Sequence, residues 1–376
     1  MVKCTLEVVV KHMVPRQAEL DTPCLVLDVD QLEDNLRRMQ HLASDAGKDL
    51  RPHAKTHKCS ALCAKQVEMG AIGVCAAKVS EADALVRAGI GGILITGPVV
   101  TAAKLARLMK LVRQSPDLTV VVDSPDGVAQ LDRALDEAGL AMQVLIDLDV
   151  GLGRTGVKPD RSQVLVNSVH SSLRLTLRGV QAYAGHVQHI PSLIQRADQS
   201  DAALRPAVNL YRALQTGIPS CTVFSASGTG THSMDLGVPE ITELQVGSYA
   251  LMDAEYLAIE ADGEPFRPAL RLLTTVVSVD HGRHVTVDAG LKSLYRDGGA
   301  PRVIKGGGPD LIYDWFGDEY GRISHSGHGL LPDLGARLEI VVSHCDPTVN
   351  LFDRYHVIQN GRVVDEWPID LRGCSQ

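Results

Sequence analysis

Leu50-Arg51-Pro52-His53-Ala54-Lys55-Thr56-His57-Lys58 (residues 50–58) opens as a short apolar strand and breaks into a basic turn. Upstream, Leu32, Leu36, Met39 and Leu42 recur at helical spacing. Downstream, Ala82, Leu85 and Val86 do the same over a shorter span, after the apolar run Gly73–Ala76. Strand, helix, strand in repetition means parallel pairing with covering helices, because a parallel crossover needs a connection of that length. Similar runs follow at Gly92–Thr96, Leu118–Val122, Gln143–Ile146, Arg178–Ala182, Thr222–Phe224 and Glu243–Val246, and one precedes them at Cys24–Leu27. That is one strand too many for a (β/α)8 barrel. The first is the one to set aside, since chain termini often complete a neighbouring unit. The expectation is an α/β protein whose (β/α)8 TIM barrel runs from Leu50 to Val246, although pattern alone also admits a doubly wound open sheet.

Beyond about residue 255 the texture changes. Asp262-Gly263-Glu264-Pro265 reads as a turn. Leu272–Val279, His284–Asp288, Arg337–Val342, Tyr355–Gln359 and Arg362–Trp367 then read as β-branched strands, with turns such as Gln359-Asn360-Gly361. No long helical pattern intervenes. The expected division is a barrel over residues 30–254 and a second, mostly antiparallel β domain built from 1–29 plus 255–376.

The chain has 376 residues, enough for two cores, with 45% hydrophobic and 22% charged residues. A formal net charge of −8 disfavours nucleic acid and anionic membranes, which reward basic patches. With 4% aromatics, a stacking platform for single strands is not expected. No apolar run approaches the ~18–20 residues of a membrane span, and Met1–Val10 lacks the features of a signal peptide. The eight cysteines show no CxxC pair. They read as apolar fillers in a reducing compartment, including Cys59 and Cys63 at helical spacing. A cytoplasmic protein is expected.

In a barrel of this kind the chemistry sits where the strands end, and several groups fall there. Lys55 between two histidines suits a Schiff-base lysine, whose pKa must be depressed by burial or neighbouring cations. A solvated lysine in a basic turn is the plainer alternative. Ser225-Ala226-Ser227-Gly228-Thr229-Gly230-Thr231 offers backbone N–H groups and hydroxyls that can wrap a phosphate, without the lysine of a P-loop. Asp147-Leu148-Asp149-Val150-Gly151-Leu152-Gly153-Arg154 lets backbone approach a ligand, with Arg154 within reach. Tyr183-Ala184-Gly185-His186 and Gln188-His189 offer a ring to pack on a cofactor and imidazoles for proton transfer. In Ser343-His344-Cys345-Asp346-Pro347, alternation along a strand would aim His344 and Asp346 the same way and Cys345 elsewhere. One imidazole and one carboxylate suit Mn²⁺, Mg²⁺ or Zn²⁺, or simply bond to each other. His325 and His328 lie in a glycine-rich loop and read as surface.

Taken in order, Asp21-Thr22-Pro23, His53-Ala54-Lys55, Lys78-Val79-Ser80-Glu81, Gly153-Arg154-Thr155-Gly156, Gln181-Ala182-Tyr183, Gly228-Thr229-Gly230, Glu243–Tyr249, Asp288-Ala289-Gly290 and His344-Cys345-Asp346-Pro347 resemble one family. It is the D-threonine aldolase and D-serine dehydratase group of alanine-racemase-fold enzymes, and the likeness runs from about residue 20 to 370. The resemblance implies a pyridoxal 5'-phosphate enzyme with the cofactor bonded to Lys55 and its pyridine nitrogen facing Arg154. By the same likeness Tyr183 contacts the cofactor, and Gly228, Thr229, Gly230 and Tyr249 cluster near its phosphate. His344 and Asp346 become ligands of a divalent metal, Mn²⁺ or Mg²⁺ favoured and Zn²⁺ admissible, and His189 the base beside the substrate hydroxyl.

The implied reaction cleaves a D-3-hydroxy amino acid, D-threonine giving glycine and acetaldehyde, or a close analogue such as 3-hydroxy-D-aspartate. An arginine at the pyridine nitrogen weakens the electron sink, so a metal that acidifies the substrate hydroxyl is needed as well. Dehydration of the same substrate class is the alternative. There the resembling enzymes pair His-x-Cys with zinc, whereas this chain has the harder Asp346. A racemase needs no metal, and a non-catalytic pyridoxal-phosphate carrier needs no β domain. The expected partners are a small D-amino acid and a second copy of the chain in a homodimer.

Overall fold

In the computed structural model the structure describes residues 16–308, 310–327 and 329–376. His328, Cys4 and the first half of the 1–29 segment lie outside the described residues. Eight short strands form a parallel sheet: β2 (Asp49–Leu50), β3 (Cys75–Ala76), β4 (Leu94–Ile95), β5 (Thr119–Val122), β6 (Met142–Asp147), β7 (Leu175–Ala182), β8 (Val223–Ala226) and β9 (Glu243–Leu244). Their spatial order is β2-β9-β8-β7-β6-β5-β4-β3. A parallel bridge between His53 and Cys75 joins the two ends, so the sheet closes. The open-sheet alternative is therefore excluded.

The helices form where their caps and faces dictate. Val29–Asp45 begins at Asp28, whose Oδ1 accepts from Gln31 N–H at 3.2 Å. It buries Leu32, Leu36, Met39 and Ala43, a stripe at helical spacing, each leucine contributing about 1.5–3 kcal/mol. Pro125–Ala138 begins at Ser124 and stops at Gly139, where φ is 64°, the left-handed position that glycine occupies without strain. Among the described residues no helix is long and apolar enough to cross a membrane.

The strand set aside by counting, β1 (Cys24–Asp28), lies outside the barrel. It pairs antiparallel with β10 (Leu270–Ser278) and parallel with β16 (Arg354–Gln359), which pairs with β17 (Arg362–Pro368). From β10 the sheet continues through β11 (His284–Val287), β14 (Gly321–His325), β13 (Leu311–Trp315), β12 (Arg302–Lys305) and β15 (Arg337–Val341) and returns to β10. The result is a second, smaller closed barrel of antiparallel strands. Strands β12, β13 and β14 were not expected from the sequence. β12 is exposed along most of its length and followed by Gly306-Gly307-Gly308, and β14 opens on a glycine, so neither carries an apolar alternation.

The two barrels meet beside the turn that carries Lys55. Tyr355 Oη on β16 donates to the His57 carbonyl at 2.6 Å, and Leu371 N–H donates to the Lys58 carbonyl at 3.0 Å. The turn is thus pinned from the β side at its C-terminal end.

Candidate active site

Beyond β2 the chain makes one 3-10 turn, Ala54–Thr56, with the His53 ring accepting the Lys55 N–H. Ala54 and Thr56 are buried on either side, which aims Lys55 over the C-terminal mouth of the barrel. A cavity of about 340 Å³ opens there. Lys55, Arg154, Tyr183, Gly228 and Thr229 all line it, although they come from four different strand ends. The Arg154 guanidinium lies 5.6 Å from the Tyr183 ring centroid, a cation–π distance. Its floor is a buried amide chain. Gln245 Nε2 donates to Gln181 Oε1 at 3.0 Å, and Gln181 Nε2 donates to Asp147 Oδ1 at 2.9 Å.

One end of the cavity is built for an anion. The N–H groups of Gly228, Thr229, Gly247 and Ser248 have no acceptor among the described residues. Thr56 Oγ1 is buried beside them without a partner, and a Cβ on Gly247 would come within 2.5 Å of it. Free N–H groups around a buried hydroxyl suit a phosphate, so the residues fit pyridoxal phosphate, with its aldehyde end at Lys55. The remaining residues of the loop act behind this face. Gly230 N–H donates to Gln188 Oε1 at 2.9 Å, and a Cβ there would collide with the Gln188 carbonyl. Tyr249 is buried with its hydroxyl accepting from Gln66 Nε2 at 3.1 Å. Its N–H joins it to the loop by donating to Thr229 Oγ1 at 3.0 Å.

The β unit closes the other side. β15 ends at Val341, and His344 caps a short helix, Cys345–Val349. Strand alternation is thus not what brings His344 and Asp346 together; the first turn of a helix does it. His344 Nε2 lies 3.7 Å from Asp346 Oδ2, while Cys345 is buried with its Sγ toward the Met252 carbonyl. Lys55 Nζ donates to Asp346 Oδ1 at 2.5 Å, which joins the lysine of one unit to the carboxylate of the other.

Burial works against the Lys55 ammonium, yet Asp346 outweighs it and holds the pKa above the ordinary value. A Schiff-base lysine was expected to have a depressed pKa, and this carboxylate reverses the sign. Burial works against the Asp346 carboxylate too, but Lys55 and His344 hold its pKa well below the usual range. Asp346 Oδ2 is buried and without a hydrogen-bond partner. A buried carboxylate oxygen left open beside an imidazole nitrogen fits a divalent cation. Among the described residues no group of three or more His, Cys, Asp or Glu side chains is arranged around a metal, so water or substrate oxygens would fill the other positions.

His189 packs against Tyr256, the ring centroids 4.5 Å apart and the planes tilted by 46°. Burial, then the charges of His344 and Lys55, lower its pKa to about 4. Glu255 stands between the two histidines, 3.5 Å from His189 Nδ1 and 3.9 Å from His344 Nδ1. Asp297 Oδ2 also faces His344 Nδ1 at 3.2 Å. Neither acidic residue was singled out from the sequence, and neither carries a local signal, since both are ordinary loop carboxylates brought in by tertiary folding. His325 ends β14, its Nδ1 accepting from Gly327 N–H, and does not line the cavity.

A lysine at the mouth of a parallel barrel, facing a phosphate cradle and roofed by an antiparallel β unit, defines the alanine-racemase class of fold. Residues 27–255 match the alanine racemase N-terminal domain family, and residues 269–358 match the serine dehydratase domain family. The chain belongs to the D-threonine aldolase and D-serine dehydratase family of fold-type III enzymes, a family that implies pyridoxal phosphate. It is 41% identical over 361 residues to a D-threonine aldolase of an Arthrobacter species, covering 96% of this chain and 94% of that one. It is 36% identical to a 3-hydroxy-D-aspartate aldolase of Paracoccus denitrificans (95% and 93% covered). The crystal structure of D-threonine aldolase from Filomicrobium marinum superimposes with a TM-score of 0.91 at 36% identity, covering 96% of this chain and 97% of that one. Relatives named as dehydratases match at lower identity.

Proposed function

We propose that this protein cleaves D-3-hydroxy amino acids between Cα and Cβ, taking D-threonine to glycine and acetaldehyde or acting on a close analogue such as 3-hydroxy-D-aspartate. The observation that supports the reading is the contact of Lys55 with Asp346, beside which His344 lies at 3.7 Å. In this reading the barrel, residues 30–254, holds the cofactor, and residues 1–29 plus 255–376 supply the metal ligands. When bound, pyridoxal phosphate would supply an acceptor for the electrons left at Cα, and a divalent metal, Mn²⁺ or Mg²⁺ favoured and Zn²⁺ admissible, would lower the pKa of the substrate hydroxyl.

The chain's own residues do the rest. Lys55 Nζ would carry the cofactor, the cradle N–H groups of Gly228 and Thr229 would hold its phosphate, and Gly230 and Tyr249 fix the loop from behind. Arg154, resting on Tyr183, would face the pyridine nitrogen. His344 Nε2 and Asp346 Oδ2 would hold the ion at the hydroxyl end. His189 takes the hydroxyl proton at the nitrogen turned away from Glu255. Its lowered pKa keeps the imidazole neutral near pH 7. Tyr256 and the β unit screen the reacting bond from water.

The hardness of Asp346 favours aldol cleavage over dehydration, as do the higher identities to relatives named aldolases. We further propose a cytoplasmic homodimer. The seven described cysteines are free thiols, which supports a reducing compartment, and exposed Phe316 and Tyr320 on the β unit offer apolar surface to a second copy. The test is metal dependence. Chelation abolishes turnover and Mn²⁺ restores it better than Zn²⁺; full turnover by His344→Ala would refute the assignment.

A further inference from the structure

We propose that Lys78 receives the substrate α-carboxylate, an inference that rests on the amino-acid substrate class proposed above. Outside the cofactor cavity lies a second one of about 400 Å³, whose wall includes Tyr295, Asp297, Asp346 and Asn350. Three residues line both: Lys55, Ala77 and Lys78. A substrate that reacts at the Lys55-bound cofactor has its Cα at this junction, and its carboxylate is one bond from Cα.

The other cations nearby are committed. Lys55 Nζ is held by Asp346, Lys58 Nζ donates to Glu81 Oε1 at 2.6 Å, and Arg154 lies on Tyr183. Among the described residues Lys78 has no ion-pair partner and its side chain donates to no acceptor.

The backbone beneath Lys78 is held firmly. Glu81, itself buried, uses its second oxygen to accept the Ala77 N–H at 2.7 Å, and Lys78 then opens the helix Val79–Arg87. The Lys58–Glu81 pair therefore fixes the segment that presents the ammonium. Charge settles the orientation of the substrate. Asp346 and Asp297 also line the outer cavity and repel a carboxylate, while the hydroxyl end is directed toward Asp346 and His344. A substrate anion is drawn to Lys78, the one uncommitted cation at the junction among the described residues. The Lys78-Val79-Ser80-Glu81 segment thus acquires a division of labour: Glu81 braces and Lys78 binds.

The experiment titrates the holoenzyme with D-alanine, which lacks the β-hydroxyl, and with D-alaninol, in which a neutral CH2OH replaces the carboxylate, following the cofactor absorption. Lys78→Met should raise the Kd for D-alanine about ten-fold or more and leave that for D-alaninol within about two-fold. Lys78→Arg should recover most of the loss, because it keeps the charge. With D-threonine, Lys78→Met should raise KM far more than it lowers kcat. An unchanged Kd for D-alanine overturns the proposal. Equal weakening of both ligands also overturns it, since the lysine would then serve the cofactor or the fold. Absence of cleavage by the unaltered enzyme would instead refute the aldolase reading, and the titration would still report on Lys78.

Discussion

Asp346→Asn keeps the shape of the side chain and removes its charge at a residue that touches both Lys55 and His344. Two consequences separate cleanly. The first concerns stability. Breaking a fully buried ion pair from one side costs about 3–5 kcal/mol, but the Lys55 side chain is 41% exposed. Screening by water reduces the expected loss to about 1–2 kcal/mol. The second concerns turnover. A metal that polarises the substrate hydroxyl contributes several kcal/mol to the barrier, and each 1.36 kcal/mol is about ten-fold in rate. The variant should therefore fold, keep its cofactor on Lys55, and lose about 100-fold to 1,000-fold in kcat/KM for D-threonine. Added Mn²⁺ should restore little, because the open carboxylate oxygen that receives it is gone. The assay is coupled acetaldehyde formation across a Mn²⁺ titration, beside a denaturation curve and the cofactor spectrum. A variant with unaltered kcat/KM at low Mn²⁺ would refute the reasoning.

Three further outcomes follow from the geometry. Lys55→Ala should lose the cofactor absorption band of the purified protein, and an unchanged band would remove Lys55 from its role. Gly230→Ala drives a methyl into the Gln188 carbonyl; a penalty of about 1.4 kcal/mol, within the about 1–3 usual for overpacking, weakens cofactor binding ten-fold, measured by titrating apoenzyme. His57 is fully buried, and burial lowers its pKa to about 4. Between about 6.5 and 4 the unfolded chain takes up a proton that the folded one refuses, so stability falls with acid in that window by about 1.4 kcal/mol per pH unit. His57→Asn, whose carbonyl can still accept the Cys59 N–H, should flatten that slope by one proton when denaturation is followed against pH.

The barrel was legible because its strands are buried runs separated by helices of consistent period. The count of those runs was enough to send β1 to the other unit. The gathering of Lys55, Arg154, Tyr183, Gly228 and Thr229 around one cavity was legible, since fold and motif put such residues at the same strand ends. What escaped was set by contacts distant in sequence. Glu255 and Asp297 become partners of His189 and His344 only when the β unit closes over the barrel. His344 and Asp346 were correctly paired on a mistaken premise, because a helical turn rather than a strand brings them together. The sign of the Lys55 shift could not be read locally either, as it depends on a carboxylate 291 residues away. Strands β12 to β14 were hidden by glycine and by exposed faces.

The most direct test of the central claim is product analysis with purified protein, pyridoxal phosphate and Mn²⁺, offering D-threonine and D-serine separately. The account predicts glycine and acetaldehyde in equal amounts from D-threonine. A 2-oxo acid and ammonia in their place would contradict it.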